Sequence, residues 1–278
     1  MCIRDSPTGA RVSEVRARFL EGTDPAAQVR PALEKSLLDL GVDKVDLFLM
    51  HWPTAFVHVP MIAEDAATGR GFAADYEPDL CSKQTGKLWE ETHWAKTGEW
   101  PPHLARGISI HDTYAAMLAC RDAGLCDHVG VANFNVMLLH ELCCVNEAPA
   151  VVQCESHPFL QQRNLVDHCR RSGIQFQAYS PLGYGEFKGE TEVWPLGDAT
   201  ILGIAAKHGV SPAQICLRWT YQRGVCTMPM TIKEREMREN LSVFHFELDD
   251  EDNAAIAALE LRHHYLRPED WYGLPLWD

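Results

Sequence analysis

Short apolar runs alternate with amphipathic stretches of helical length along most of the chain. The runs have the length and the β-branched content of buried strands, and the stretches between them place apolar residues at the helical period. The pattern predicts strands at 14–20, 45–51, 126–133, 150–157, 174–180 and 225–230. It predicts helices at 24–41, 109–124, 134–146, 165–173, 197–209, 211–224, 235–244 and 249–259. This alternation is typical of a parallel sheet with helices packed outside it.

Polar and aromatic residues follow the predicted strands at the points where these strands end. In parallel α/β folds, ligand chemistry lies at the carboxyl ends of the strands, which share one rim of the sheet. We therefore expect the side chains that follow the strands to converge on that rim. They are His51 and Trp52, Asn133, Glu155 to His157, Tyr179 and Ser180, and Met230 and Thr231.

Composition narrows the class of protein. The length fits one α/β domain over 1–278, and the net charge of −14 argues against nucleic acid and anionic membranes as partners. No apolar stretch approaches the length of a membrane span, and residues 1–6 lack the apolar core of a signal peptide. Ten cysteines without a CxxC pair favour reduced thiols over a metal site. We therefore expect a cytoplasmic protein with no metal.

Two segments do not follow the alternating pattern. Residues 54–107 contain Gly, Pro and charged residues without a regular period, together with Trp89, Trp94 and Trp100. A loop of this length in a compact domain is usually functional or mobile, so two interpretations stay open: a cover over the rim and a surface elaboration. Residues 1–6 fit no predicted element, and we treat them as a candidate non-native tail.

Six stretches of the chain have a family likeness that no one of them would establish alone. They are SLLDLGVDKVDLFLMHWP (36–53), GVANFN (130–135), VQCESHPFLQQ (152–162), AYSPLG (178–183), SPAQICLRW (211–219) and MRENLSVFHFELDDED (237–252). In this order and at this spacing they resemble the aldo-keto reductases, from roughly Val15 to the C-terminus. The resemblance implies a TIM-type (β/α)8 barrel. It also implies hydride transfer between a nicotinamide cofactor and an aldehyde, ketone or alcohol, without a Rossmann domain.

The resemblance implies roles for residues at the predicted rim. His51 matches the histidine that hydrogen-bonds the substrate oxygen, and a histidine bonded to backbone is the structural alternative for it. Trp52 and Trp271 match walls of the substrate pocket. The positions that match cofactor-binding residues are Asn133, Gln153, Tyr179, Ser180, Leu182, Thr231, Glu236 and Asn240.

Five of these positions match the nicotinamide half of the cofactor. Asn133 and Gln153 match residues that bond the carboxamide, and Tyr179 matches the ring that stacks on the nicotinamide. Ser180 and Leu182 match the turn that approaches the pyrophosphate. Two alternatives stay open here: Asn133 as the cap of the helix that follows it, and Tyr179 as a core residue.

The chain departs from the family pattern at the catalytic positions. Six strands are predicted where the family has eight, so we expect the first two βα units, about 50–60 residues, to be missing. These units would carry the catalytic Asp and Tyr, and none of the seven tyrosines of the chain lies early enough to replace that Tyr. The family lysine matches a position near Arg18, whose guanidinium stays protonated. We therefore expect this polypeptide by itself to be weak or inactive.

The adenine-side positions differ as well. Where the family often has Pro-Lys-Ser, this chain has Pro229, Met230 and Thr231, and Glu236 stands at the position of the family arginine. A carboxylate repels the 2′-phosphate of NADP but can accept a bond from a ribose hydroxyl, and the adjacent Arg235 could compensate. The cofactor is therefore expected to be NADP or NAD, with a weakened preference for NADP.

Functions from different classes stay open. The first is a reductase acting on a small carbonyl compound, and the second is a non-catalytic nicotinamide-binding barrel that acts through a partner and uses residues 54–107. A structural relic without a ligand is the third. Ala132 and Val152 favour the second, because the family commonly has Ser and Asn there. Each replacement removes a carboxamide contact worth about 0.5–1.5 kcal/mol.

Overall fold

The computed structural model of the protein describes residues 2–5, 11–17, 26–55, 96–101, 104–183 and 193–266. The strands of these ranges are β1 Cys2–Asp5, β2 Arg11–Ala17, β3 Val45–Met50, β4 Cys126–Ala132, β5 Val151–Glu155, β6 Gln175–Tyr179 and β7 Cys226–Met228. The helices are α1 Ala26–Leu40, α2 Ile110–Asp122, α3 Val136–Val145, α4 Arg163–Arg171, α5 Ala199–His208, α6 Pro212–Gln222, α7 Glu234–Leu241 and α8 Asp250–Ala257. A 3-10 helix covers Pro195–Gly197.

The alternation predicted from the sequence is confirmed, because each predicted strand and helix corresponds to an observed element. Strand β2, predicted at 14–20, is described over Arg11–Ala17, and the predicted residues 18–20 lie outside the described residues. The last described residue of β2, Ala17, pairs with Met50, the last residue of β3.

The N-terminal prediction is corrected by an additional strand. Residues 1–6 were assigned to no element, whereas β1 pairs antiparallel with β2, with Cys2 opposite Glu14 and Asp5 opposite Arg11. The pairing supplies backbone hydrogen bonds between strands that are close in sequence. Such a strand has too few apolar residues to be recognised by its period.

The described residues belong to two compact units. The first comprises Met1–Gly130, Cys144–Glu147 and Arg267–Asp278, and the second comprises Val131–Cys143 and Ala148–Leu266. Strand neighbours follow chain order, β1 to β4 in the first unit and β4 to β7 in the second. Strand pairs β2–β3, β4–β5, β5–β6 and β6–β7 are parallel. This is an α/β fold, and a pairing that closes a barrel is not among those of the described residues.

The core of the first unit follows from helix and strand periodicity. The buried residues of α1 repeat every four positions, which places Val29, Leu33 and Leu37 on one face. The neighbouring helix α2 buries Tyr114 and Met117. Strand β3 buries three consecutive residues, Phe48 to Met50, as expected for a strand that is covered on both faces.

The core of the second unit is an apolar cluster between helices. Its buried members are Ile201, Ile204, Ala205, Ile215, Cys216, Trp219, Leu248 and Ile256. Helix α6 begins with a capping box between Ser211 and Gln214, and α8 begins with one between Asp249 and Asp252. These caps satisfy backbone N–H groups that have no partner inside a helix, so they fix where each helix starts.

Strand register in the second unit determines which side chains meet. Ala132 of β4 pairs with Gln153 of β5, and Glu155 at the end of β5 pairs with Tyr179 at the end of β6. Tyr179 in turn pairs with Met228 at the end of β7. The carboxyl ends of three parallel strands are therefore level with one another, and the residues that follow them emerge at the same edge.

Candidate functional site

Asn133, Gln153 and Tyr179 lie together at this edge of the second unit. The backbone N–H of Asn133 donates to the carbonyl oxygen of Gln153 at 2.8 Å. The Tyr179 hydroxyl donates to Oδ1 of Asn133, also at 2.8 Å. Asn133 is buried and Tyr179 is half-buried, so the phenol ring bridges between the strand edge and the surface. Three residues that the sequence proposed for one cofactor half are thus direct neighbours.

The backbone turns sharply after two of these strands. Asn133 has φ 63° and Ser180 has φ 48°, both in the left-handed region. This region is sparsely populated by residues other than glycine, although asparagine tolerates it better than most. Such conformations are concentrated at functional sites, where the surrounding structure holds them. The turn after β6 is closed by a bond from the Gly183 N–H to the Ser180 carbonyl oxygen at 2.9 Å.

Asn133 is not the cap of the following helix. Oδ1 of Asn135 accepts a hydrogen bond from the backbone N–H of Leu138 at 2.9 Å, in the first turn of α3. The Asn133 side chain instead accepts the bond from Tyr179. The capping alternative raised by the sequence is therefore wrong, and the chain places two asparagines two residues apart for two different tasks.

Gln153 is held by a neighbour that the sequence analysis did not single out. The side chain of Gln153 is fully buried, and its Nε2 donates to Oε1 of Gln177 at 2.5 Å. The same nitrogen lies 3.7 Å from Sδ of Met228. Buried amides are nearly always hydrogen-bonded, so Gln177 fixes the orientation of this carboxamide. Gln177 stands two residues before Tyr179, and the strand period of two could have identified it.

A buried carboxylate lies at the end of β5. Glu155 is 2% exposed, and its oxygens accept bonds from the backbone N–H groups of Tyr265 at 2.8 Å and Leu266 at 3.2 Å. Nε2 of the buried His157 lies 3.1 Å from Oε1, and His264 lies 3.6 Å from Oε2. Burial by itself raises the pKa of Glu155, but the attraction of the carboxylate to His157 and His264 outweighs it and lowers the pKa to about 2.

The turn after β6 carries the two proposed pyrophosphate residues. Ser180 and Leu182 are both half-buried. Leu182 packs against the helical core cluster of the second unit, which anchors this turn on one side. Gly183 ends the turn with φ 75°, and a Cβ atom there would lie 3.0 Å from both Pro195 and the ring of Tyr265. Only glycine fits this position without displacing its neighbours.

The proposed adenine-side residues lie at the start of α7. The Thr231 hydroxyl donates to Oε2 of Glu236 at 2.6 Å, and Nζ of Lys233 donates to Oε1 at 2.9 Å. The Thr231 bond and then the Lys233 ammonium lower the pKa of Glu236. Arg235, which could compensate for the missing family arginine, pairs with Glu239 at 2.8 Å.

The cation on Glu236 is therefore Lys233. The physical reason is helical geometry, because Arg235 and Glu239 are four residues apart on one face of α7. Asn240 is half-buried in the last turn of the same helix.

The proposed substrate-side residues belong to the first unit. His51 and Trp52 directly follow β3, with His51 half-buried and Trp52 buried. Their ring centroids are 6.1 Å apart, and the rings are tilted by 51°. Arg18 and Trp271 lie outside the described residues, as does most of 54–107.

The described residues of the irregular segment 54–107 contact one another near its two ends. Nε1 of Trp100 donates to the carbonyl oxygen of Leu104 at 3.0 Å, and the Arg106 guanidinium lies 5.2 Å from the centre of the Trp100 ring. The backbone N–H of Ala105 donates to the carbonyl oxygen of Ala55 at 2.9 Å. Trp100 thus stabilises the segment where it rejoins the first unit.

Three further observations concern the part of the chain that is described. No group of three or more His, Cys, Asp or Glu residues there could hold a metal ion. Free thiols are present at Cys120, Cys126, Cys143, Cys144, Cys154, Cys169, Cys216 and Cys226. None of the helices described there has the length and apolar character needed to cross a membrane.

Comparison with known proteins gives a consistent set of relatives. Residues 18–261 match the profile of the Aldo/keto reductase family. The chain is 34% identical over 262 residues to "Aldo/keto reductase slr0942" of Synechocystis sp., covering 90% of this chain and 70% of that protein. It is 34% identical over 256 residues to "NAD(P)H-dependent D-xylose reductase" of Scheffersomyces stipitis, covering 89% and 72%. It is 33% identical over 254 residues to "Aldose reductase B" of Dictyostelium discoideum, covering 91% and 71%.

Proposed function

The chain belongs to the aldo/keto reductase family and is an NAD(P)-dependent oxidoreductase, and from this premise we propose that it transfers hydride between NAD(P) and an aldehyde or ketone. The reverse oxidation of an alcohol uses the same groups. We also propose that the parallel βα repeats belong to a (β/α)8 barrel, the architecture that the family implies. The carbonyl compound is a small molecule of the class that such reductases take.

The contact between Tyr179 and Asn133 beside Gln153 is the observation that supports this proposal most. When bound, the nicotinamide cofactor would supply the hydride. The amides of Asn133 and Gln153 complement a carboxamide, which carries both a donor and an acceptor. Gln177 holds the amide nitrogen of Gln153 in a fixed orientation, and we assign the Gln153 side chain to the carboxamide of the cofactor. The half-buried ring of Tyr179 offers a face on which a nicotinamide can stack.

The turn and the helix beyond it extend the same site. We assign Ser180 and Leu182 to the pyrophosphate, since they follow β6 directly and the turn is held in a defined conformation. Thr231, Glu236 and Asn240 are assigned to the adenosine half. The donor set of these residues fits a dinucleotide, with amides for the carboxamide, a turn for the pyrophosphate and hydrogen-bonding side chains for the ribose.

On the substrate side we assign His51 to the reacting carbonyl oxygen, to which a ring N–H would donate a hydrogen bond. Trp52 and Trp271 are assigned to the pocket walls, and Arg18 to the position of the family lysine. None of the seven tyrosines of this chain matches the proton donor of the family. We therefore propose that the 278-residue polypeptide alone turns over a simple aldehyde slowly.

We further propose that this chain binds NAD in preference to NADP. Glu236 places a carboxylate where the family has an arginine, and Thr231 and Lys233 hold that carboxylate in place. A 2′-phosphate would meet this negative charge, whereas a ribose 2′-hydroxyl could donate to it. Lys233 moderates the repulsion because its ammonium is already bonded to Glu236.

The non-catalytic nicotinamide-binding barrel is kept as a second candidate. Ala132 and Val152 favour it, because both are buried beside Asn133 and Gln153 and neither carries a side-chain hydrogen-bonding atom. Binding without hydride transfer would then serve a protein partner. The two candidates differ in one observable, which is oxidation of bound NADH by an aldehyde.

A fluorescence titration tests the proposed function directly. We expect quenching or enhancement of NADH fluorescence on addition of the purified chain, and a weaker effect with NADPH. Asn133→Ala, which removes the bond from Tyr179, is expected to weaken NADH binding about fivefold. Absence of binding by both dinucleotides would contradict the proposal. Binding without oxidation by any of a panel of aldehydes would favour the second candidate.

A further inference from the structure

Tyr265 joins two separate stretches of the second unit, one of them the turn after β6. Its hydroxyl donates to the carbonyl oxygen of Val193 at 2.6 Å. The edge of its ring lies against Gly183, where a Cβ atom would come within 3.0 Å of Cε2. The side chain is buried, at 5% exposure, although it follows the last described helix by eight residues.

The ring of Tyr265 is itself fixed on its other sides. The His157 ring packs against it at a centroid distance of 4.8 Å, and the His263 ring meets it edge-on at 4.6 Å. The backbone N–H of Tyr265 donates to Oε1 of Glu155 at 2.8 Å, and that of Leu266 donates to Oε2. A buried carboxylate that accepts two backbone donors is a rigid anchor, because breaking either bond leaves part of a buried charge unsatisfied.

The contacts form a chain from the end of β5 to the turn after β6. Glu155 holds the backbone of Tyr265, and the Tyr265 ring limits the space at Gly183. Gly183 closes the turn through its bond to the Ser180 carbonyl oxygen, and Ser180 has a left-handed backbone. A turn with strained backbone angles keeps its shape only if its surroundings restrict it. Tyr265 supplies that restriction from one side, and the packing of Leu182 supplies it from the other.

We propose that Tyr265 is a positioning residue for dinucleotide binding, which holds the Ser180–Gly183 turn in the conformation that receives the pyrophosphate. The inference rests on the proposed function, because it assigns that turn to the cofactor. Tyr265 acts through Gly183 rather than by touching the cofactor. By ordering the turn before the cofactor binds, Tyr265 reduces the entropy that is lost on binding.

Substitution at Tyr265 tests the inference with two readouts. Tyr265→Leu removes the ring and the hydroxyl, and Tyr265→Phe removes only the bond to Val193. Amide hydrogen exchange over residues 180–183 without cofactor reports the order of the turn, and titration with NADH reports binding. Tyr221→Leu is the matched control, since Tyr221 is half-exposed on α6 and its ring meets Phe244 edge-on instead.

We expect Tyr265→Leu to accelerate exchange at the turn and to weaken NADH binding, each about tenfold. Tyr265→Phe should weaken binding about threefold, and Tyr221→Leu should change neither readout by more than about twofold. A folded Tyr265→Leu protein with wild-type exchange and wild-type affinity would overturn this inference and leave the proposed function intact. A wild-type protein that binds neither dinucleotide overturns both.

Gly183→Ala provides an independent test if Tyr265→Leu fails to fold. The added methyl group meets the Tyr265 ring from the turn side, and the positive φ adds backbone strain. We expect at least about tenfold weaker NADH binding in Gly183→Ala. In a Gly183→Ala/Tyr265→Phe double variant the ring is retained, so the loss at Gly183 should persist. Unchanged binding and unchanged exchange in Gly183→Ala would overturn the inference.

Discussion

Two glutamates of the second unit make similar bonds in opposite surroundings. Glu155, at the end of β5, is 2% exposed and accepts bonds from two backbone N–H groups beside His157. Glu236, in α7, accepts bonds from the Thr231 hydroxyl and the Lys233 ammonium while facing solvent. The first carboxylate is anchored by groups it cannot exchange for water, whereas the second can exchange its partners freely.

The difference indicates two roles within one proposed cofactor site: the buried glutamate stabilises the fold, and the exposed glutamate affects which dinucleotide binds. Charged hydrogen bonds are stronger where water is excluded, and an unpaired buried charge is expensive. Exposed ion pairs contribute little to stability, because water and salt screen them. We therefore assign the β5 end to holding the site together and the start of α7 to choosing between dinucleotides.

The largest expected effect is at Glu155. Glu155→Gln replaces one accepting oxygen by a donor that faces the backbone N–H of Leu266 or Tyr265. We expect the free energy of unfolding to fall by about 4 kcal/mol, because the buried histidine and backbone donors lose their charged partner. Urea denaturation of the variant and the wild-type chain measures it.

Glu236→Gln is the matched control for that measurement. It makes the same chemical change at a site that faces solvent, so we expect no measurable shift of the urea midpoint. Equal destabilisation by the two substitutions would contradict the contrast between the two glutamates.

The pH dependence of stability is the next largest effect. The ordinary pKa of a glutamate is 4.5. Burial raises that of Glu155, but the attraction of the carboxylate to His157 and His264 outweighs burial and lowers the pKa to about 2. Since the folded pKa is depressed, the contribution is complete above the unfolded pKa and is lost as pH falls from about 4.5 to about 2. It amounts to about 3 kcal/mol.

Urea denaturation between about pH 6 and pH 3 checks this dependence. The wild-type chain should lose stability more steeply than Glu155→Gln below about pH 4.5, because the variant has no proton to take up at this position. Parallel pH profiles of the two proteins would show that Glu155 is not the group responsible.

Tyr179→Phe should have an intermediate effect. The substitution keeps the ring and removes the bond to Oδ1 of Asn133, so we expect about 1 kcal/mol less stability and about threefold weaker NADH binding. Tyr221→Phe serves as the control because its ring packs edge-on against Phe244, away from the strand ends. Unchanged NADH binding in Tyr179→Phe would count against the hydroxyl bond as an element of the site.

Glu236→Gln is expected to have the smallest effect on stability but the largest effect on the choice between NADH and NADPH. Glu236→Gln removes the negative charge and keeps an acceptor for Thr231 or a ribose hydroxyl. We expect the ratio of NADPH to NADH affinity to rise about tenfold, with little change in NADH affinity itself. Titrations with both dinucleotides at low and high salt measure it, since the repulsion should be weaker at high salt. An unchanged ratio of the two affinities would show that Glu236 does not determine the cofactor preference.

Much of the fold could be predicted because its signals are local. The apolar period of each segment identified the strands and helices from α1 to α8, and the ends of the strands pointed to Asn133 and Tyr179. The interpretation of Asn133 as a helix cap was wrong. Asn133 and Asn135 are the same residue type, and only the structure shows which of them caps α3. The sequence likewise does not show that Lys233, three residues from Glu236, is the cation bonded to it.

By itself the sequence determined the order of elements, the parallel arrangement and which strand ends carry polar side chains, because these depend on residues that are close along the chain. Only the tertiary structure decided that the ring of Tyr265 contacts Gly183. It also decided that Glu155 binds the backbone N–H of Tyr265, 110 residues away in sequence. A contact of that separation leaves no period in the sequence. It exists because strand register makes the ends of β5 and β6 level, and a returning segment can then satisfy a carboxylate that burial would otherwise leave unpaired.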